Sequence, residues 1–274
     1  MRRRLIAGLA VIVCAAMGLR GTGRPGVLAQ SAPAKQSAPA KRSAAASALP
    51  DLQGVWQVLN AANVNLEAHS AGPDGPAGQS VIEGGTIPYQ EWALQKRAEH
   101  YAHRLTLDTD YQCHHAGVPR ATYLGLPFQI VQTPQMTAIL YEYAHMTRRI
   151  YTDGTKHQED VDFYLGDSRG HYEGATLVVE VTNFNDKTWF DRAGNFHSGA
   201  GLTVVERYSR RDPDHLNYEA TITDPKVFTR PWTIKMPLYR RIEPNAQVLD
   251  YLCYTFEDRT KGLTVPLFRQ SPLQ

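Results

Sequence analysis

No aspartate or glutamate occurs in the first 50 residues, which instead carry eight of the chain's 29 lysines and arginines. The formal net charge of +2 is therefore a sum over two unlike parts. Residues 51–274 hold the remaining 21 basic side chains against all 27 acidic ones, a net of −6. With the basic excess confined to the N-terminal segment, no basic patch is left to hold a nucleic acid. Cysteine is also scarce, with three in all: Cys14, Cys113 and Cys253. Beyond the N-terminal segment no apolar run approaches bilayer-spanning length. Several chemical signatures are missing too. There is no Gly-x-Ser-x-Gly elbow, Gly-rich phosphate or dinucleotide loop, His-Glu-x-x-His or EF-hand pattern, and no Cys or His pair at zinc-ligand spacing. His114 and His115 are adjacent, so in an extended chain their side chains diverge. The reading is of a protein with no metal and no cofactor.

What is present at the N-terminus reads as an export signal. Arg2, Arg3 and Arg4 form a basic n-region, Leu5 to Met17 an apolar h-region too short to span, and Val27-Leu28-Ala29 a small-residue cleavage pattern. Cleavage after Ala29 gives a signal peptide over 1–29, with the Sec route favoured and the twin-arginine route the alternative. Cys14 follows Val13, where a lipobox wants a small residue. Residues 30–50 repeat Ser-Ala-Pro-Ala-Lys and bury too little apolar surface to order, so they read as a disordered linker. A single domain is expected over 51–274, in the periplasm or secreted. Removing the signal takes Cys14 with it, and Cys113 and Cys253 are left in an oxidising compartment, where they are expected to pair. Such a bridge closes about 140 residues and contributes roughly 5 kcal/mol in the loop-entropy model. The alternative is a pair of buried thiols.

From Pro127 onward, short β-prone runs alternate with turn chemistry. The runs are 127–133, 136–143, 147–151, 163–172, 177–183, 202–210, 215–223, 231–242 and 248–254, broken at Pro134-Gln135, Asp153-Gly154, Glu173-Gly174, Asp212-Pro213 and Glu243-Pro244. With residues 54–59 at the front the count is about ten strands. Consecutive hairpins without helix-length crossovers predict an up-and-down antiparallel barrel, lipocalin- or calycin-like, whose closure removes exposed edges. One short helix is expected over 88–104, with residues 60–86 as loop.

Charged side chains share strand faces with apolar ones. The bland account is charge pairing on the rim and outer wall. The sharper one is an interior acid–arginine network of Glu142, Arg149 and Glu206, with Tyr141, Tyr143, Trp189 and Tyr218 as aromatic ligand contacts. The connection from Phe184 to Gly201 is long enough to be a functional lid. Within it His197 with Asp191 forms a candidate general base, or else both only hydrogen-bond backbone. His145, beside Glu142 and Arg148 at a turn, is a second candidate for acid–base work.

Gly54-Val55-Trp56 resembles the Gly-x-Trp signature of lipocalins. A more distinctive set runs from Gly117-Val118-Pro119-Arg120 through Tyr141-Glu142-Tyr143-x-His145, Arg148-Arg149-Ile150, Trp189 and Asp224-Pro225 to Pro231-Trp232. It is similar to a large group of secreted, mostly uncharacterised bacterial lipocalin-like β-barrel proteins. The resemblance covers most of residues 51–255. It implies cysteines at the Cys113 and Cys253 positions, which supports the bridge, and the chain departs from the group's usual Pro-Pro at His114-His115. It implies no activity. Three functions follow as expectations. The first is an exported barrel holding a small aromatic or amphipathic molecule in its interior. The second is a cofactor-independent lyase, isomerase, hydratase or cyclase using a His/carboxylate pair at the barrel mouth. The third is a cell-envelope interaction module.

Overall fold

The computed structural model describes residues 49–251. The expected signal peptide, nearly all of the linker, and Cys253 lie outside the described residues. Nine strands follow one another in chain order: β1 (Gly54–Gln57), β2 (Phe128–Gln132), β3 (Met136–Tyr141), β4 (Thr147–Tyr151), β5 (Asp167–Glu173), β6 (Thr176–Thr182), β7 (Thr203–Asp212), β8 (His215–Thr223) and β9 (Trp232–Arg240). They close into one barrel in the order β1 to β9, with β9 returning to β1. Mainly-β architecture and closure are as expected. The tenth run is not a strand over its described part, residues 248–251.

Nor is the barrel wholly antiparallel. Eight neighbouring pairs are antiparallel, whereas β4 and β5 run parallel. Parity requires this, because strand direction cannot alternate all the way round a ring with an odd number of members. The residues from Thr152 to Gly166 cross from one end of the wall to the other, as a parallel connection must.

Alternation decides which side chains face inward. On β3 the buried set is Thr137, Ile139 and Tyr141; on β4, Arg148 and Ile150; on β7, Val204, Glu206 and Tyr208; on β8, Leu216, Tyr218, Ala220 and Ile222. The inward faces meet in one continuous cluster that includes Trp56, Phe128, Val179, Tyr208 and Leu238. Trp56 donates Nε1–H to the Leu52 carbonyl at 3.0 Å, and the Arg240 guanidinium lies 4.4 Å from its ring, which ties β9 to β1 where the ring closes.

The helix appears as α1 (Glu91–Ala102), followed at once by α2 (Arg104–Leu107). Glu91 sits in the first turn, as the helix dipole favours. The loops beyond the helices are held by a buried ionic network. Arg120 grips both oxygens of Asp108 at 2.5 and 2.9 Å and donates to Asn63 Oδ1 at 2.7 Å. Asp110 accepts from Arg192 Nε at 2.7 Å and Asn63 Nδ2 at 3.2 Å. Burial alone would raise the Asp110 carboxyl, but Arg120 and Arg192 hold it below its ordinary value. Three loops distant in sequence are thereby fixed to one another. No helix among the described residues is long and apolar enough to cross a membrane.

Candidate functional site

Two joints in the wall are short. β1 and β9 share two residue pairs, and so do β4 and β5, against nine between β7 and β8. At the first joint the chain fills the gap itself. Ile82 bridges Ile234, Glu83 N–H donates to the Thr233 carbonyl at 2.8 Å, and Lys235 N–H donates to the Val81 carbonyl at 2.9 Å. At the second joint, pairing begins only at Ile150 and Ser168, leaving Thr147 to Arg149 without partners on β5. A cleft of about 830 Å³ opens there, within the usual range of ligand sites. Its floor reaches Arg148 and Ser168, and Phe163 and Tyr164 of the crossover lie on its rim with Tyr151 and His115. Arg169 stacks over the Tyr151 ring at 4.8 Å and pairs with Asp167 at 3.0 Å.

Beneath this floor lies a fully buried ion pair. Arg148 Nη1 donates to Glu206 Oε1 at 3.2 Å, Nη2 donates to Oε2, and Nε donates to Ser168 Oγ at 3.0 Å. Glu206 Oε1 also accepts the hydroxyls of Tyr208 at 3.0 Å and Tyr218 at 2.7 Å. Desolvation raises the hydroxyl pKa of Tyr141, Tyr208 and Tyr218, so all three stay protonated. The Tyr141 hydroxyl faces Arg148 and Thr122 without a well-formed hydrogen bond, and the Thr122 hydroxyl is likewise unpartnered.

The interior acid–arginine network therefore exists with different members. Glu206 and Tyr218 are in it, and Tyr141 borders it. Its arginine is Arg148; Arg149 points outward on the exposed face of β4 and lines the cleft from the rim. Glu142 is not in the network: it lies at the chain reversal after β3 and accepts the Leu249 N–H at 3.0 Å. Tyr143 is buried and donates to the Asp110 carbonyl at 3.0 Å. Side-chain alternation already placed Tyr208 on the Glu206 face, but no local signal marked Ser168, Thr122, Phe163 or Tyr164.

The histidines go elsewhere. His145 is 58% exposed, with its nearest carboxylate, Asp250, at 3.8 Å, and it does not line the cleft. His197 is buried. The Gly199 N–H donates to Nδ1 at 3.0 Å, which leaves the proton on Nε2 to donate to Thr188 Oγ1 at 2.9 Å. Desolvation pushes its pKa down to about 4, and it does not line the cleft. Asp191, also buried, accepts Leu66 N–H at 2.8 Å, Ala193 N–H at 2.9 Å and Asn195 Nδ2 at 2.6 Å. Burial lifts it to about 6. Trp189 stacks on His100 with ring centroids 4.5 Å apart. Around His197 and Asp191 the long connection is thus a packed wall, while Asp186 and Lys187 are exposed and Asn185 lines the cleft.

A second cleft, of about 410 Å³, lies between α1 and the loop from Val64 to Asp74. Its charged groups are already paired, Arg97 with Glu67 at 3.0 Å and Asp74 with Arg104 at 2.7 Å. Among the described residues no three His, Cys, Asp or Glu side chains converge as a metal would need. Comparison of this chain with protein-family models, with curated proteins and with solved structures finds no match.

Proposed function

We propose that this chain is an exported barrel that binds a small aromatic or amphipathic molecule, and that the ligand enters the β4–β5 cleft rather than the barrel interior. The observation that carries the reading is the contrast between the two short joints: the chain plugs one with residues 81–83 and leaves the other open above a buried ion pair. Two further features support it. The interior is occupied by the protein's own side chains, and the cleft rim is aromatic. Aromatic rims give apolar area with polar handles at low entropic cost. Export, likeness to secreted lipocalin-like barrels, and a Cys113–Cys253 bridge belong to the same proposal. Mass mapping of mature protein under non-reducing conditions should join the two cysteines.

The test is mass spectrometry of small molecules that co-purify with mature protein, repeated on Phe163→Ala and Tyr164→Ala. Both side chains lie on the rim outside the core cluster, so the variants should fold. A compound retained by the parent and lost from both is the expected result. Retention unchanged in both would move the site away from the cleft. The acid–base enzyme reading would require His145 or His197 at the cleft, and neither lines it. One observation favours an envelope interaction module: Trp92, Leu94, Tyr101 and Leu107 on α1 and α2 are large apolar side chains left 41–55% exposed.

A further inference from the structure

Resting on the cleft as the binding site, the backbone of β4 narrows what that site takes. Tyr141 N–H donates to the Met146 carbonyl at 2.9 Å, and Thr152 N–H donates to the Gln135 carbonyl at 2.8 Å. Both ends of the β3–β4 ladder are thus bonded through even-numbered residues on the β4 side. Alternation along an antiparallel pair then turns the N–H and C=O of Arg148 and Ile150 toward β3, and those of Thr147 and Arg149 toward β5. Arg149 adjoins Ile150, the first residue paired with β5, but Thr147 lies further out and lines the cleft. Its N–H and C=O are the open half of a strand pair. A peptide residue, with one donor and one acceptor at matching spacing, completes it; an ester or a hydrocarbon does not.

The charged side chains of the cleft leave both signs on offer. Arg148 is neutralised by Glu206 and Arg169 by Asp167, and burial pushes His115 toward its neutral form. Arg149, Asp153 and Asp162 also line the cleft and have no ion-pair partner among the described residues. Free charges of both signs complement a short peptide, which carries an ammonium at one end and a carboxylate at the other. The wall sets its direction. β4 and β5 run parallel, so a strand lying between them antiparallel to both restores the alternation that nine strands lack. That direction sends the peptide's N-terminus toward the Asp153 end of β4. The residue opposite Thr147 puts its side chain on the same outer face, toward a rim that carries Phe163 and Tyr164. We infer that the cleft takes a short extended peptide with an aromatic side chain, added as an antiparallel strand to the free edge of β4 at Thr147.

The experiment uses three probes: the tripeptide Ala-Phe-Ala, the same peptide methylated on its phenylalanine nitrogen, and p-cresol, an aromatic amphipath without a peptide bond. Amide chemical shifts of the mature protein are followed at Arg149, Ser168 and Asn185. Ala-Phe-Ala should move these signals. Methylation removes the donor to the Thr147 carbonyl and should weaken binding about tenfold. Thr147→Pro removes the N–H that faces the cleft, and Met146 already has the extended ψ, 136°, that a following proline requires. This variant should bind Ala-Phe-Ala about fivefold more weakly than the parent. Equal affinity for the two peptides would overturn strand addition and leave the cleft reading intact, as would binding of p-cresol without either peptide. Failure of all three probes to move the cleft signals would instead remove the cleft reading, and the strand with it. Unchanged affinity in Thr147→Pro would overturn the role given to Thr147. The methylated peptide needs no variant, so the parent protein alone decides between the outcomes.

Discussion

At the scale of single residues, His197 and Asp191 are both fully buried and pull stability in opposite directions with pH. His197 has an ordinary value of 6.5 and a folded value of about 4. The unfolded chain therefore binds its proton first, so the stabilisation from the neutral ring is complete above pH 6.5 and is lost as pH falls towards 4. Asp191 runs the other way, from 3.8 to about 6. Here the folded state binds the proton first, so the favourable contribution is complete below pH 3.8 and is lost as pH rises through 6. Each shift corresponds to about 3 kcal/mol, so the two nearly cancel. Urea titrations of the parent at pH 4.5 and pH 7 should show little contribution from this pair. His197→Gln should become relatively more stable at the lower pH, and Asp191→Asn relatively less. Parallel slopes in both variants would mean that neither group titrates as its burial demands. The buried pair at Arg148 makes a second prediction. Arg148→Met and Glu206→Leu each strand one charge and should cost about 3–5 kcal/mol, whereas the double variant should lose far less than the sum. Additive losses in denaturant midpoints would show that the two side chains are not coupled.

At the scale of elements, the β4–β5 joint should be the weakest part of the wall. Backbone amides of β5 from Gly170 to Glu173 lie beyond its pairing with β4. Hydrogen exchange at the joint should run about tenfold or more faster than in β7 and β8, where pairing is longest. Equal protection would contradict an open seam. The crossover that shapes the cleft is anchored at Gly166, where φ is +65° and an added Cβ would sit 2.6 Å from Val181 and 2.9 Å from the Phe184 ring. Gly166→Ala should cost about 3 kcal/mol, and Gly154→Ala, also at positive φ but in open space, about 1 kcal/mol. Denaturant midpoints measure both. The strands themselves were legible in the sequence because turn residues and period-two alternation are local signals, and nine of the ten runs match strands. Direction is not local. Nothing between Thr152 and Gly166 says whether the chain returns beside β4 or crosses, and only ring parity forces the parallel pair.

At the scale of the whole molecule, the same distinction explains what was and was not legible of the site. Glu206 and Tyr218 stood out because they share inward faces with apolar neighbours. Choosing Arg148 over Arg149 needs to know which face of β4 is inside, and this is set by its register against β3. There Thr137 pairs with Ile150, and Ile139 with Arg148. Histidine and aspartate in the Phe184–Gly201 connection looked chemical because a long loop suggested exposure, yet burial of Trp189, Phe190 and Phe196 turns it into wall. The closed ring also bears on how the molecule forms. Read along the chain, it is two leaves of hairpins, β1–β4 and β5–β9, each built from near neighbours apart from the long excursion between β1 and β2. Before they meet, the leaves present four open strand edges, at β1, β4, β5 and β9, each a template for pairing with another chain. Two residue pairs at each joint close the ring, but residues 147–149 of β4 and 170–173 of β5 keep free edges at the second. The β1–β9 joint brings together the strands most distant in sequence and so carries the largest loop-closure cost. Residues 81–83 cover the free length of β9 at one joint, so the exposed template for pairing with another chain that survives closure is the other joint, between β4 and β5.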